Sequence, residues 1–142
     1  MKSVAHILNE KGSQVWCISP AATVYDALAL LADKNVGALL VTETSGPVGL
    51  LSERDCARSV ILKGRTSRDT LVREIMTHKV LCVTPDQPVE EAMALMTEHR
   101  VRHLPVIAGG AVLGMVSIGD LIKSVIAEQQ FIITQLEHYI SG

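Results

Sequence analysis

Two four-residue intervals hold the side chains best placed to do chemistry: Ser52-Glu53-Arg54-Asp55 and Ser117-Ile118-Gly119-Asp120. In each, a hydroxyl precedes a carboxylate by three positions, so the pair fits the first turn of one helix. There an ionised carboxylate accepts O–H groups in charge-assisted hydrogen bonds. The hydroxyl can donate to an anion, which the unpaired N–H groups and dipole of a helix start also favour. The same residues have a structural use, because Ser and Asp at this spacing cap helices. Both readings stand at this level.

Other chemistries find little support. Cys17, Cys56 and Cys82 form neither a CxxC pair nor a Cys/His ligand spacing, which argues against a disulfide framework and a zinc site. Cys17 and Cys82 are expected to pack as small hydrophobes, and Cys56 has no recognisable base beside it. His99 and His103 are close in sequence, but that interval crosses from helix into strand and gives them no common face. No nucleophile–base pair has convincing spacing. A formal charge of −2 and a pI near 6.2 leave no electrostatic footprint for nucleic acid. The apolar stretches are short of the roughly 18–20 residues of a membrane span, and the first residues do not read as a secretory signal. The expectation is a compact cytoplasmic chain. Of its 142 residues 48% are hydrophobic and 3% aromatic, so the core must be aliphatic.

The two intervals stand 65 positions apart, and so does everything around them. Residues 15–55 fall on 80–120 without a gap, with about a third of the pairs identical. Val15, Cys17 and Pro20 meet Val80, Cys82 and Pro85, and Gly49, Ser52 and Asp55 meet Gly114, Ser117 and Asp120. Each copy reads β-α-β-β-α. Strands are expected at Val15–Ser19 and Val80–Thr84. Val24, Ala27, Leu28 and Leu31, like Val89, Ala92, Met93 and Met96, make one apolar helical stripe. Pro88 suits the first helical turn, and the helices should end near Asn35 and Arg100. Ala38–Thr42 and His103–Ile107 have the length of buried strands. Turns at Ser45-Gly46-Pro47 and Gly109-Gly110 lead to returning strands Val48–Leu51 and Leu113–Val116. The last helix covers Asp55–Leu62 in the first copy and runs from Asp120 toward Tyr139 in the second. Lys63–Asp69 reads as an exposed linker. Val72–Met76 should be a short helix leading into copy two, with Val4–Leu8 playing that part before copy one.

A tandem β-α-β-β-α unit whose copies close on Gly49-Leu50-Leu51-Ser52-Glu53-Arg54-Asp55 and Gly114-Met115-Val116-Ser117-Ile118-Gly119-Asp120 resembles the CBS domain pair, the cystathionine-β-synthase-type regulatory module. Arg100-Val101-Arg102-His103-Leu104-Pro105-Val106 is similar to the family's approach to its second strand. The resemblance covers roughly residues 1–127 and implies an α/β (α+β) fold: two repeats packed through their sheets with pseudo-twofold symmetry, plus a long C-terminal helix. The implied boundaries are 1–62 for the first domain, 63–71 for a linker, 72–127 for the second domain and 128–142 for a helical extension.

The resemblance also implies two clefts that bind adenosine-containing ligands, AMP, ATP, ADP or NAD(H), as regulatory ligands, with no catalytic cofactor. Asp55 and Asp120 would accept ribose hydroxyls, and Ser52 and Ser117 would donate to phosphate. Arg102 and His103 read as phosphate donors or as a solvated positive turn; their counterparts Gly37 and Ala38 carry no charge, so the clefts are unequal. Arg54 and Arg58 read equally as phosphate donors or an exposed helix face. By analogy, Gly12, Trp16, Val36, Gly37 and Met115 line the Asp120 cleft, and Met76, Thr77, Leu81, Val101 and Leu50 line the Asp55 cleft. Core packing is the other reading of Trp16, Val36, Leu81 and Val101. The implied function is a non-enzymatic sensor, commonly a homodimer, read by an unidentified partner protein, with no nucleic acid and no membrane. A dimerisation scaffold with unused clefts is the alternative, through a C-terminal helix bearing Phe131, Ile132, Leu136 and Tyr139.

Overall fold

The computed structural model describes residues 2–141, so Met1 and Gly142, the outer bounds of the expected domains, lie outside the described residues. The elements in order are α1 (Val4–Lys11), β1 (Cys17–Ile18), α2 (Val24–Lys34), β2 (Ala38–Glu43), β3 (Gly46–Ser52), α3 (Glu53–Cys56, continued by a π-helical turn over Ala57–Ile61), α4 (Val72–Ile75), α5 (Val89–His99), β4 (His103–Ala108), β5 (Ala111–Ser117) and α6 (Ile118–Ser141). The mixed α/β architecture expected from the repeat is present, long terminal helix included.

Two compact units form. One is Val15–Val80; the other joins the residues up to Gln14 to those from Leu81 onward. In the first, β1 runs parallel to β2, which pairs antiparallel with β3; in the second, β4 and β5 pair antiparallel. Each hairpin has the same irregularity, between Val41 and Thr42 and between Val106 and Ile107, positions related by the repeat. The helical stripes do what their periodicity implies: Val24, Ala27 and Leu31 are buried in one core, and Val89, Ala92 and Met96 in the other. Asn35 and Arg100 end α2 and α5 in the left-handed conformation, φ 52° and 54°. Gly109 and Gly110, both at positive φ, make the tight turn between β4 and β5.

Several local expectations are corrected. The turn before β3 is Thr44-Ser45, and Gly46 and Pro47 already belong to the strand. Pro88 sits one position before α5, at its N-cap, with ψ 149°. The strand expected at Val80–Thr84 is reduced to a bridge between Val83 and Val106. Pro105 explains this. In the first unit the Leu40 N–H donates to the Trp16 carbonyl at 3.0 Å. The matching residue is Pro105, which has no N–H to give to Leu81. Its carbonyl still accepts the Val83 N–H at 3.0 Å, and the Ile107 N–H reaches the Val83 carbonyl at 2.8 Å.

The short helices also differ from their order in the chain. α1 packs in the unit of the second repeat, where Val4 and Ile7 enter the core, and α4 packs in the unit of the first, where Val72 does. The hydrogen bonds match pair by pair. Val4 N–H donates to Gln87 O and Ala5 N–H to Pro85 O, each at 2.9 Å. Val72 N–H donates to Ala22 O at 2.9 Å and Arg73 N–H to Pro20 O at 3.0 Å. Each repeat therefore leaves the same carbonyls open for a helix that lies, in sequence, ahead of the other repeat. The expected linker is tied down at its end: Ser67 and Thr70 carbonyls accept the Tyr25 and Val24 N–H groups at the start of α2.

Candidate functional site

Both hydroxyl–carboxylate pairs fold into the same turn. Asp55 N–H donates to Ser52 Oγ at 3.1 Å, and Ser52 N–H donates to Asp55 Oδ2 at 3.0 Å. In the second unit Asp120 N–H donates to Ser117 Oγ at 3.1 Å and Ser117 N–H to Asp120 Oδ2 at 2.8 Å. The capping role is thus realised twice. It uses each serine oxygen as an acceptor and one carboxylate oxygen, Oδ2. Oδ1 takes no part in these bonds, so the cap and a ligand-accepting carboxylate are compatible.

Behind each turn the helix start is fastened to the beginning of the preceding strand. Glu53 N–H donates to Gly37 O at 3.0 Å, and Ile118 N–H donates to Arg102 O at 2.8 Å. This places Arg102 and His103 beside Ser117, which is paired with His103 in the β4–β5 register. Gly37 and Ala38 hold the same places beside Ser52. Arg54 and Arg58 are exposed on the α3 segment.

The motif glycines also have a reason that sequence did not supply. A Cβ on Gly49 would come within 2.7 Å of Met76 Sδ and 2.9 Å of the Thr77 carbonyl oxygen. One on Gly114 would meet Leu8 Cδ2 at 2.7 Å. Glycine lets the segment supplied from ahead of the other repeat lie directly on the strand. In the first unit that segment pairs with it: Leu50 N–H donates to Thr77 O at 3.0 Å, and Thr77 N–H to Leu50 O at 2.9 Å.

In the second unit the equivalent segment is different. α1 stays helical to Lys11, whose ammonium lies 2.6 Å from Asp120 Oδ2 and 2.7 Å from the Met115 carbonyl oxygen. Burial works against the charged form of Asp120. The Lys11 ammonium and the Ser117 N–H and hydroxyl outweigh it and hold the carboxyl below its ordinary range. Lys11 was missed from sequence. The aligned helices carried a hint, since Lys79 follows Val72 by the seven positions that separate Lys11 from Val4.

The expected lining residues divide between the units. Gly12, Leu81, Val101, Arg102, His103, Met115, Ser117 and Asp120 belong to one; Trp16, Val36, Gly37, Leu50, Ser52, Arg54, Asp55, Arg58, Met76 and Thr77 belong to the other. Trp16 and Val36 pack against the first core, Leu81 and Val101 against the second. The Lys34 ammonium sits 4.4 Å from the Trp16 ring centroid, a cation–π contact. Cys17 is exposed rather than packed, because Trp16 and Ile18 beside it turn inward and strand alternation sends Cys17 to the other face. Cys56 is buried, and desolvation, then Asp55 and Glu53, push its thiol up to about 11. That environment suppresses thiolate reactivity. Among the described residues no cluster of His, Cys, Asp and Glu could hold a metal ion, and no helix is long and apolar enough to cross a membrane.

Two repeats of the β-α-β-β-α pattern, the second with its opening strand reduced to a bridge, each close on a capped Ser–Asp turn and define a tandem-repeat α/β module. The CBS domain model matches residues 4–62 and again 72–127. The chain belongs to the CBS domain family. It is 43% identical over 136 residues to the mitochondrial CBS domain-containing protein CBSX3 of Arabidopsis thaliana, covering 92% of this chain and 66% of that protein. It is 35% identical to the CBS domain-containing protein YhcV of Bacillus subtilis, covering 77% of each. Among solved structures, a putative signal-transduction protein with CBS domains from Burkholderia ambifaria has a TM-score of 0.86 at 50% identity, over 90% of this chain and 96% of that one. Two more distant structures share the fold. The CBS domain pair of MJ0100 was solved with 5-methylthioadenosine and S-adenosyl-L-methionine, at TM-score 0.78 and 22% identity over 90% and 98% of the two chains. PAE2072 from Pyrobaculum aerophilum was solved with AMP, at TM-score 0.73 and 24% identity over 83% and 88%.

Proposed function

We propose that this chain is a non-enzymatic regulatory module that binds adenosine-containing ligands, AMP, ATP, ADP or NAD(H), at sites built on Asp55 and Asp120. The observation that carries this reading is the turn made twice, in which capping occupies Oδ2 and leaves Oδ1 for a ribose hydroxyl. AMP in one fold relative and S-adenosyl-L-methionine in another support the ligand class. Arg102 and His103 next to Ser117, and Arg54 and Arg58 around Asp55, are the proposed phosphate donors. Gly12 and Met115 at the Asp120 site, and Leu50, Met76 and Thr77 at the Asp55 site, are the proposed lining. CBS domain pairs are regulatory modules. Here binding would shift the chain between arrangements of different ligand affinity, and a partner protein would read the shift. Homodimerisation and a cytoplasmic setting belong to the same reading.

Titration calorimetry with AMP, ATP, ADP and NAD(H) tests it. Binding that weakens in Asp120→Ala at one site and in Asp55→Ala at another is the expected outcome. No binding at millimolar ligand overturns the proposal. Nucleotide recovered intact after incubation fits a sensor, whereas product formation overturns the non-enzymatic reading.

A second reading has its own observation. α6 exposes Ile122, Ile126, Phe131, Ile132, Ile133, Leu136, Tyr139 and Ile140, which favours a scaffold that associates through this helix. Deleting residues 128–142 should then lower the mass seen by light scattering. An unchanged mass removes that reading.

A further inference from the structure

We propose that Lys11 is a specificity-determining residue of the Asp120 site: it admits a vicinal diol that carries an anionic group, such as a nucleoside monophosphate, and disfavours the uncharged nucleoside. This rests on the nucleotide-binding reading above and goes beyond it in assigning how one of the two sites discriminates.

The argument is one of occupancy. A carboxylate oxygen offers about two lone-pair sites. On Asp120, Oδ2 already accepts the Ser117 N–H at 2.8 Å and the Lys11 ammonium at 2.6 Å. A vicinal diol that spans a carboxylate needs one acceptor position on each oxygen, and only Oδ1 lies outside these bonds. Its second hydroxyl reaches Oδ2 by displacing Lys11. The ammonium then loses a charge-assisted bond at a carboxylate whose side chain is only 25% exposed. A neutral nucleoside returns nothing for that loss. A phosphate on the same ligand re-pairs the ammonium, which stands at the end of α1 and is itself 37% exposed, free to swing on its four-carbon stem. Arg102, beside Ser117, adds a second cation to the same end of α6.

The first unit supplies the contrast. Where Met115 gives its carbonyl to the Lys11 ammonium, its counterpart Leu50 gives its carbonyl to the Thr77 N–H. Lys79, which corresponds to Lys11, lies exposed at a bend. The extra turn of α1 therefore brings to one site a cation that the other site receives from no equivalent helix.

The test compares AMP with adenosine by calorimetry on the full chain. Asp55→Asn, which retains a capping oxygen, isolates the Asp120 site. In that background AMP should bind at least about tenfold tighter than adenosine, since a charge-assisted bond is worth roughly 1.5–3 kcal/mol. Adding Lys11→Met should weaken AMP and strengthen adenosine, and Lys11→Arg should keep the preference. The rise in adenosine affinity is the signature, because a residue that only contacts phosphate would leave adenosine unchanged. Lys11→Gln checks the result with a polar side chain of similar reach, and a thermal melt of each variant confirms folding. An AMP-to-adenosine ratio that is the same in Lys11→Met overturns this inference while leaving the nucleotide reading intact. Failure of both ligands to bind the unaltered chain overturns both.

Discussion

The turns at Asp55 and Asp120 have the same hydrogen bonds to within a few tenths of an ångström, yet they are not the same site. One lies against a segment that leaves its helix early and pairs with the strand as backbone. The other lies against a helix that continues far enough to deliver a lysine. The difference teaches that duplication preserved the part that must hold its shape, the capped turn, while divergence settled in the segment laid across it. The halves differ where the capped turn does not depend on the difference.

The comparison can be broken most forcefully in the cores. Leu39 and Leu104 occupy equivalent positions and are both fully buried, so Leu39→Ala and Leu104→Ala should each cost about 3 kcal/mol. Urea unfolding measures this, and costs that differ by more than about 1 kcal/mol would mean that the two cores are not equivalent. A smaller effect should separate the glycines. At Gly49 an added methyl meets a backbone carbonyl, whereas at Gly114 it meets only the end of a leucine side chain. Gly49→Ala should cost about 2 kcal/mol and Gly114→Ala about 1 kcal/mol or less. Equal costs would place the constraint in the strand itself and not in the overlying segment.

The smallest effect concerns acid. Asp120 titrates below its ordinary range in the folded chain, with desolvation opposed and overcome by Lys11 and Ser117. A carboxyl depressed by folding stabilises above its unfolded pKa, about 3.9, and that contribution disappears as pH falls through the folded value. Lys11→Met removes part of the depression. The gap in urea midpoint between the variant and the unaltered chain should therefore narrow from pH 7 to pH 3. A gap that does not change with pH would show that the ion pair contributes nothing to stability.

Much of this was legible in the sequence because it is local or periodic. The apolar stripes, the helix ends near Asn35 and Arg100, the diglycine turn and the Ser–Asp spacing all depend on residues within one helical turn or one hairpin. What escaped notice depends on which segments meet. Pro105 weakens the strand before α5 only because that strand would pair with it, and the pairing is a fact of topology. Gly49 and Gly114 look like strand breakers until a covering segment explains them. Lys11 reaches a carboxylate 109 positions away, a distance that no local pattern spans, and it does so through a helix that precedes one repeat in sequence but packs with the other.

That assignment of helices bears on how the chain is made. The unit Val15–Val80 is one uninterrupted stretch and holds all its own parts as soon as it has been synthesised. The other unit is assembled from both sides of it, so α1, although it precedes Val15–Val80 in the chain, must wait for β4, β5 and α6. Since domains generally fold as they leave the ribosome, α1 spends that interval with its apolar side uncovered, and the unit with the lysine-bearing site is the last to be completed.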